Sequence, residues 1–198
     1  MYLGKIVSSS SHIEYVCQIY GPGETDAVPE TIDHGFGTFV CIERGDGGSL
    51  VGVILNTTLL NPEFGSLGPR LSSEPELAIF SPDYLCEKVT LVAILVLGTL
   101  DCGEAWQGVP RVAATIDAQV RRLDEEEIRA FHASGVDEAT ANLRLAYLPT
   151  LASMESPLAL HLALALLSQL GELFPEHAGQ ISVLESNLAW RARVEPVG

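Results

Sequence analysis

Lysine is nearly missing from this chain: Lys5 and Lys88 are the whole supply, and basic residues number 11 against 26 acidic ones in 198 positions. The resulting formal charge of −15 excludes a broad cationic face. Affinity for a polyanion comes mainly from neutralising phosphates and releasing their counterions, so direct nucleic-acid binding is disfavoured. The same scarcity removes the G-x-x-x-x-G-K-[ST] loop that cradles nucleotide phosphates, because neither lysine follows one. Gly35-Phe36-Gly37 is a lone fragment of a dinucleotide fingerprint that enters a strand instead of opening a helix. No cofactor is expected.

Cysteine and histidine are present without a pattern. Cys17, Cys41, Cys86 and Cys102 are widely spaced and form no C-x-x-C pair. Cys17 and Cys41 fall within apolar strand patterns, which suits small buried hydrophobes in a reducing, cytoplasmic compartment. Cys102 is the thiol most open to exposure, but the flanking Asp101 and Glu104 raise a thiol's pKa and oppose nucleophilic use. His12, His34, His132, His161 and His177 stand at no metal-ligand spacing, so no metal is expected. A basic region followed by an apolar run is lacking at the N-terminus, and Val89–Leu100, the most apolar stretch, is well short of the ~20 residues a spanning helix needs. No membrane span is expected.

What the chain does have is apolar surface: 47% of residues are apolar and 19% charged. Disorder is thereby disfavoured, and burial of some surface against another chain is expected. The few cations cluster as Arg111, Arg121, Arg122 and Arg129, and again as Arg191 and Arg193, a solvated face or the counterpart of an acidic patch on a partner.

Residues 1 to about 60 read as strands. Leu3–Ser9 leads through a serine turn into His12–Tyr20, and Gly21-Pro22-Gly23-Glu24 opens a long polar loop to about Gly35. Gly37–Glu43 and Ser49–Leu60 flank Asp46-Gly47, a strong hairpin signal. Gly52, inside a nearly continuous apolar run, predicts a bulge or a close approach of backbones. Asn61–Leu71 is an irregular loop in which Glu63, Phe64 and Arg70 form a possible site, and Glu76–Phe80 is a short strand. Val89–Leu97 reads as a strand buried on both faces.

Val112–Val120 predicts a further extended stretch before a helix that starts at Leu123-Asp124. Asp124 is its N-cap and Glu127 the capping-box partner, so Glu125, Glu126 and Glu127 serve the helix start and not a metal. After Gly135, Leu143–Leu148 predicts one more strand. Ser156-Pro157 supplies a cap and a first-turn proline for a helix over Leu158–Phe174, which Pro175 ends. Its leucines encircle it, and a helix apolar all round must be enclosed. The cover is either the following helix, Glu176 to about Arg191, with the barrel wall, or a neighbouring subunit. Leu160, Leu164, Leu167 and Leu170 are the interface candidates, and Leu164→Glu is expected to disrupt folding or assembly.

The fold class expected is therefore mainly β with an α appendage: a small closed antiparallel β-barrel with its closing helix over residues 1–132, then a leucine-rich helical hairpin over 133–198.

Leu3-Gly4-Lys5-Ile6-Val7-Ser8-Ser9, the hairpin at Asp46-Gly47, the strand Leu50–Leu55 with its glycine, and Val120–Ile128 together resemble the HAS-barrel. This is the small barrel of HerA-type DNA translocases and of the N-termini of the F1 ATP synthase α and β subunits. The resemblance covers about residues 1–132. It implies a role in ring assembly and nuclease docking, with a HerA- or FtsK-type ATPase or a NurA-type nuclease as partner, hence an accessory role in DNA repair. The sequence departs from the family where the ATPase core should begin, so hydrolysis and DNA translocation do not carry over and no catalytic residue is transferred. The expectation is a non-enzymatic assembly or adaptor module. Two alternatives stand beside it. One is a small-molecule enzyme using the 61–70 loop. The other is an OB-like nucleic-acid-binding barrel, which would have to expose aromatics such as Tyr15, Tyr20 and Phe39.

Overall fold

The computed structural model describes residues 1–61, 88–101, 104–134 and 142–194, with the side chains of Ser134 and residues 191–194 left aside. The strand expected at Glu76–Phe80, the site residues Glu63, Phe64 and Arg70, and the thiols of Cys86 and Cys102 lie outside the described residues.

Strands β1 (Tyr2–Ser9), β2 (Glu14–Ile19), β3 (Phe39–Glu43), β4 (Ser49–Leu60), β5 (Val89–Asp101) and β7 (Gln119–Arg122) run in the order β2-β1-β7-β3-β4-β5. The ring closes through antiparallel pairing of β2 with β5, Tyr15 opposite Ile94. A closed ring leaves no unpaired edge, the usual liability of a small sheet. Strand β6 (Glu104–Gln107) continues the sheet from the far half of β5, where Thr99 faces Trp106. The predicted barrel is present.

Local chemistry accounts for the turns. At the β3–β4 hairpin Gly47 takes φ +85°, a conformation that disfavours a side chain. The Asp46 carboxylate accepts the Gly48 amide at 3.0 Å. The β4–β5 register shifts between Val51 and Gly52, and a Cβ on Gly52 would lie 2.9 Å from the Leu95 carbonyl oxygen. Gly52 thus marks both the bulge and the close approach.

Two cores share one wall. Leu3, Ile6, Cys17, Ile42, Ile54 and Val92 are among those filling the barrel. On the outside of β3, β4 and β5 a second core gathers Phe39, Cys41, Val51, Val53, Leu95 and Leu97 under helical side chains. Strands buried on both faces lose the polar alternation of a half-solvated strand, which explains the continuous apolar runs at Val51–Leu55 and Val89–Leu97.

The helical cover begins with α1 (Glu125–His132) and passes a two-residue ribbon, β8 (Ala133–Ser134) with β9 (Asn142–Leu143). It continues through α2 (Leu148–Ala152), α3 (Ala159–Leu173) and α4 (Ala178–Val194). Asp124 caps α1 as expected, accepting the Glu127 amide at 2.8 Å, while Glu127 accepts the Asp124 amide at 3.1 Å. Leu162, Leu166 and Leu170 of α3 are buried in the second core, and Ile181 and Leu188 of α4 join them. One face of the leucine helix is covered by its own chain, and the other stays partly exposed.

Three expectations need correction. Residues 112–118 are not a strand: Asp117 turns at φ +63°, and pairing starts only at Gln119. Leu143–Leu148 is a strand only at Asn142–Leu143. Beyond it the Gln107 side chain, accepting the Ala146 amide at 2.7 Å and donating to the Arg144 carbonyl at 3.0 Å, satisfies the backbone in place of a neighbouring strand. Ser156 is not the cap residue of α3, which starts later, at Ala159 after Leu158. Its hydroxyl shapes the preceding turn by accepting the Leu158 amide at 3.3 Å.

Candidate functional site

The four leucines singled out as an interface do not act as one surface. Leu167 and Leu170 are buried in the core between helix and barrel, whereas Leu160 and Leu164 keep partial exposure. The interface role is corrected for the buried pair, because the barrel's outer wall already covers them. Nearby, His161 and Ser168 are exposed on the same helix.

The aromatics that a base-stacking barrel would display are otherwise engaged. Tyr15 and Phe39 are buried in the two cores. The Tyr15 hydroxyl donates to the His12 carbonyl and accepts the Ala114 amide. The Tyr20 hydroxyl donates to Gln119 at 2.7 Å. Among the described residues, no group of three or more His, Cys, Asp or Glu side chains is placed to hold a metal ion. No described helix is long and apolar enough to cross a membrane. Cys17 and Cys41 are buried without a disulfide. Burial pushes the Cys17 thiol up to about 12 and raises that of Cys41 as well, the latter against the pull of Arg121.

A buried polar node fastens the helices to the barrel. His132, at the end of α1, sits among the rings of Phe39, Phe131, Tyr147 and Phe174. Its Nδ1 donates to the Ile128 carbonyl at 2.8 Å, and in the neutral ring that burial favours, Nε2 accepts from the Tyr147 hydroxyl. Desolvation, with the Arg144 charge adding to it, brings the imidazole down to about 4, while the Ile128 bond opposes the shift. Burial likewise raises the Tyr147 phenol. Histidine spacing could not reveal this node, because the partner lies fifteen positions away across an irregular segment.

Two members of the arginine cluster, Arg121 and Arg122, are paired within the chain. Arg121 grips Glu127 with two bonds, of 2.8 and 2.6 Å, and lies 3.6 Å from Glu43, which accepts the Tyr2 hydroxyl. The grip lowers the Glu127 carboxyl and raises Arg121. Arg122 reaches Asp33 at 3.8 Å, and Arg129 lies over the Phe174 ring. An open depression of about 360 Å³, lined by Ser49, Leu100, Arg121, Glu126, Glu127 and Ala130, flanks the first pair. Its cation is already spoken for, so the depression offers no unpaired charge to an anion.

Two ordered loops carry apolar side chains outward. In the loop over residues 108–118, Nε2 of His12 donates to the Pro110 carbonyl, and the Asp117 amide donates to the Ile6 carbonyl. Fastened this way, the loop leaves Val109, Val112 and Ile116 at least half exposed. The second loop, residues 20–38, exposes Val28, Ile32 and Phe36, with Ile32 reaching 77%. The sequence reading recognised this second loop as long and polar. A further signal in the sequence is the recurrence of apolar residues at 28, 32 and 36 in this acid-rich loop.

A comparison with curated proteins returns no match. The family model described as Domain of unknown function (DUF8166) matches residues 1–197, and by that match the chain belongs to the DUF8166 family.

Proposed function

We propose that this chain is a non-catalytic assembly or adaptor module, similar in role to the HAS-barrel of HerA-type machines, that works with a separately encoded ATPase or nuclease. The observation that carries the reading is the pair of ordered loops, 20–38 and 108–118, whose large apolar side chains face solvent although the loop backbones are already hydrogen-bonded to the barrel. Exposed apolar groups on a fixed scaffold lose little entropy when a protein covers them, which is how interfaces gain affinity. The closed barrel with a helix directly after its last strand, and the internal pairing of Arg121 and Arg122, are in keeping with it.

The test is co-expression of the full chain with the HerA-type ATPase or NurA-type nuclease encoded nearest its gene, followed by native mass measurement at dilute concentration. A defined complex, or a defined self-assembly, is the expected result. A monomer that joins neither, or a purified chain that turns over ATP or a metabolite unaided, overturns the reading.

A further inference from the structure

The 20–38 loop is built with two kinds of side chain. Pro29 and His34 point inward and are buried. The backbone is pinned at both ends and in the middle. The Gly21 amide donates to the Glu24 carboxylate at 2.7 Å, and at the short 3-10 turn Thr31–His34 the Glu30 amide donates to the Asp33 carboxylate while the Asp33 amide donates to the Glu30 carbonyl, both at 2.9 Å. The Gly37 amide donates to the Ile54 carbonyl at 2.8 Å, and Gln169 of α3 donates to the Gly37 carbonyl at 3.2 Å. The loop therefore holds its shape without Val28, Ile32 and Phe36, which remain exposed.

Charge within this loop is of one sign. Glu24, Asp26, Glu30 and Asp33 lie in the loop, which contains no lysine or arginine. The neighbouring cation is Arg122 of β7, 3.8 Å from Asp33, whose amide also donates to the Met1 carbonyl. Exposed apolar side chains interspersed along the chain with acids select their occupant by charge. A second copy of this chain would set acid against acid at a formal charge of −15 each. Nucleic acid and anionic lipid are repelled for the same reason.

We propose that residues 24–36 form a docking surface for a cationic, amphipathic polypeptide segment, one whose lysines or arginines flank apolar anchors that seat on Val28, Ile32 and Phe36. This rests on the reading of the chain as an interaction module and adds the surface and the chemistry of its partner.

The probe is a synthetic amphipathic helix of leucine and lysine, titrated into the 15N-labelled full chain, with a leucine–glutamate peptide as its counterpart. The lysine peptide should move amide resonances concentrated in 24–36, and the glutamate peptide should move none. Ile32→Lys, at a side chain too exposed to disturb the fold, should weaken binding at least about tenfold, as expected for loss of an anchor. Val112→Lys, on the other apolar loop, should leave affinity within about twofold. Shifts centred on 109–116, shifts spread evenly over the acidic surface, or an Ile32→Lys affinity equal to that of the unaltered chain overturn the proposal. Each of those results leaves the module reading standing, because that reading is decided by assembly with the ATPase or nuclease.

Discussion

The Tyr147 hydroxyl donates to Nε2 of His132 across 2.9 Å, and both rings are buried. One residue ends the helix that follows the barrel and the other precedes α2, so this single bond ties the two halves of the helical cover across the ribbon between them. Burial keeps the imidazole neutral, and with Nδ1 donating to the Ile128 carbonyl the neutral ring accepts at Nε2.

A neutral buried histidine makes stability depend on pH. The unfolded chain protonates His132 near its ordinary value of about 6.5, whereas the folded chain resists until about 4. Above pH 6.5 the node contributes fully. As pH falls from there toward 4, the unfolded state gains a proton that the native state lacks, and stability drops by about 3 kcal/mol in all. Urea unfolding between pH 7.5 and 5, ahead of most carboxylate titration, should show this slope, and His132→Gln should flatten it.

The start of α1 offers a second measurement. Asp124→Ala removes one acceptor of the capping box and should cost about 1 kcal/mol. Glu127→Gln should cost more, because it also strips the two-bond grip on Arg121. A Glu127→Gln effect no larger than that of Asp124→Ala in chemical denaturation would show that the Arg121 pair adds nothing.

Gly4 tests the closure of the barrel. A Cβ there would collide with the Gln18 carbonyl oxygen of β2, so Gly4→Ala must push β1 and β2 apart and should cost about 1–3 kcal/mol or more. Gly45→Ala, with nothing within 4 Å of its Cβ, is the matched control and should leave the urea midpoint nearly unchanged.

Leucines along α3 should separate by depth. Leu162→Ala opens a cavity in the second core and should cost about 2–5 kcal/mol. Leu164→Glu, at a partly exposed position, lets the carboxylate reach water and should cost less than Leu167→Glu, which buries an unpaired charge. Equal losses at 164 and 167 would mean that the outward face of α3 is also covered.

Much of the barrel was legible because its determinants are local. The Asp46-Gly47 turn, the strand at Ser49–Leu60 and the cap at Asp124 each depend on residues within a few positions of one another. Encirclement of α3 by leucine was legible too, and it pointed to enclosure without saying whether the chain's own barrel or a neighbour provides it. The failures share a cause. Residues 108–118 are organised by His12, Tyr15 and Ile6, and residues 144–146 by Gln107, partners that no window along the chain brings together. The docking surface at 24–36 was hidden differently. Its composition suits a solvated loop, and only the inward placement of Pro29 and His34 shows that Val28, Ile32 and Phe36 are spare.

Because β3, the first half of β4 and the middle of β5 are buried on both sides, the barrel and its helices are not separable parts. A fragment ending at residue 132 would lay bare a greasy plate made of Phe39, Val51, Val53, Leu95 and Leu97, and would clump instead of staying in solution. Evolution cannot trade the helices away without repainting that wall, so any relative that keeps these five side chains must bring its own lid.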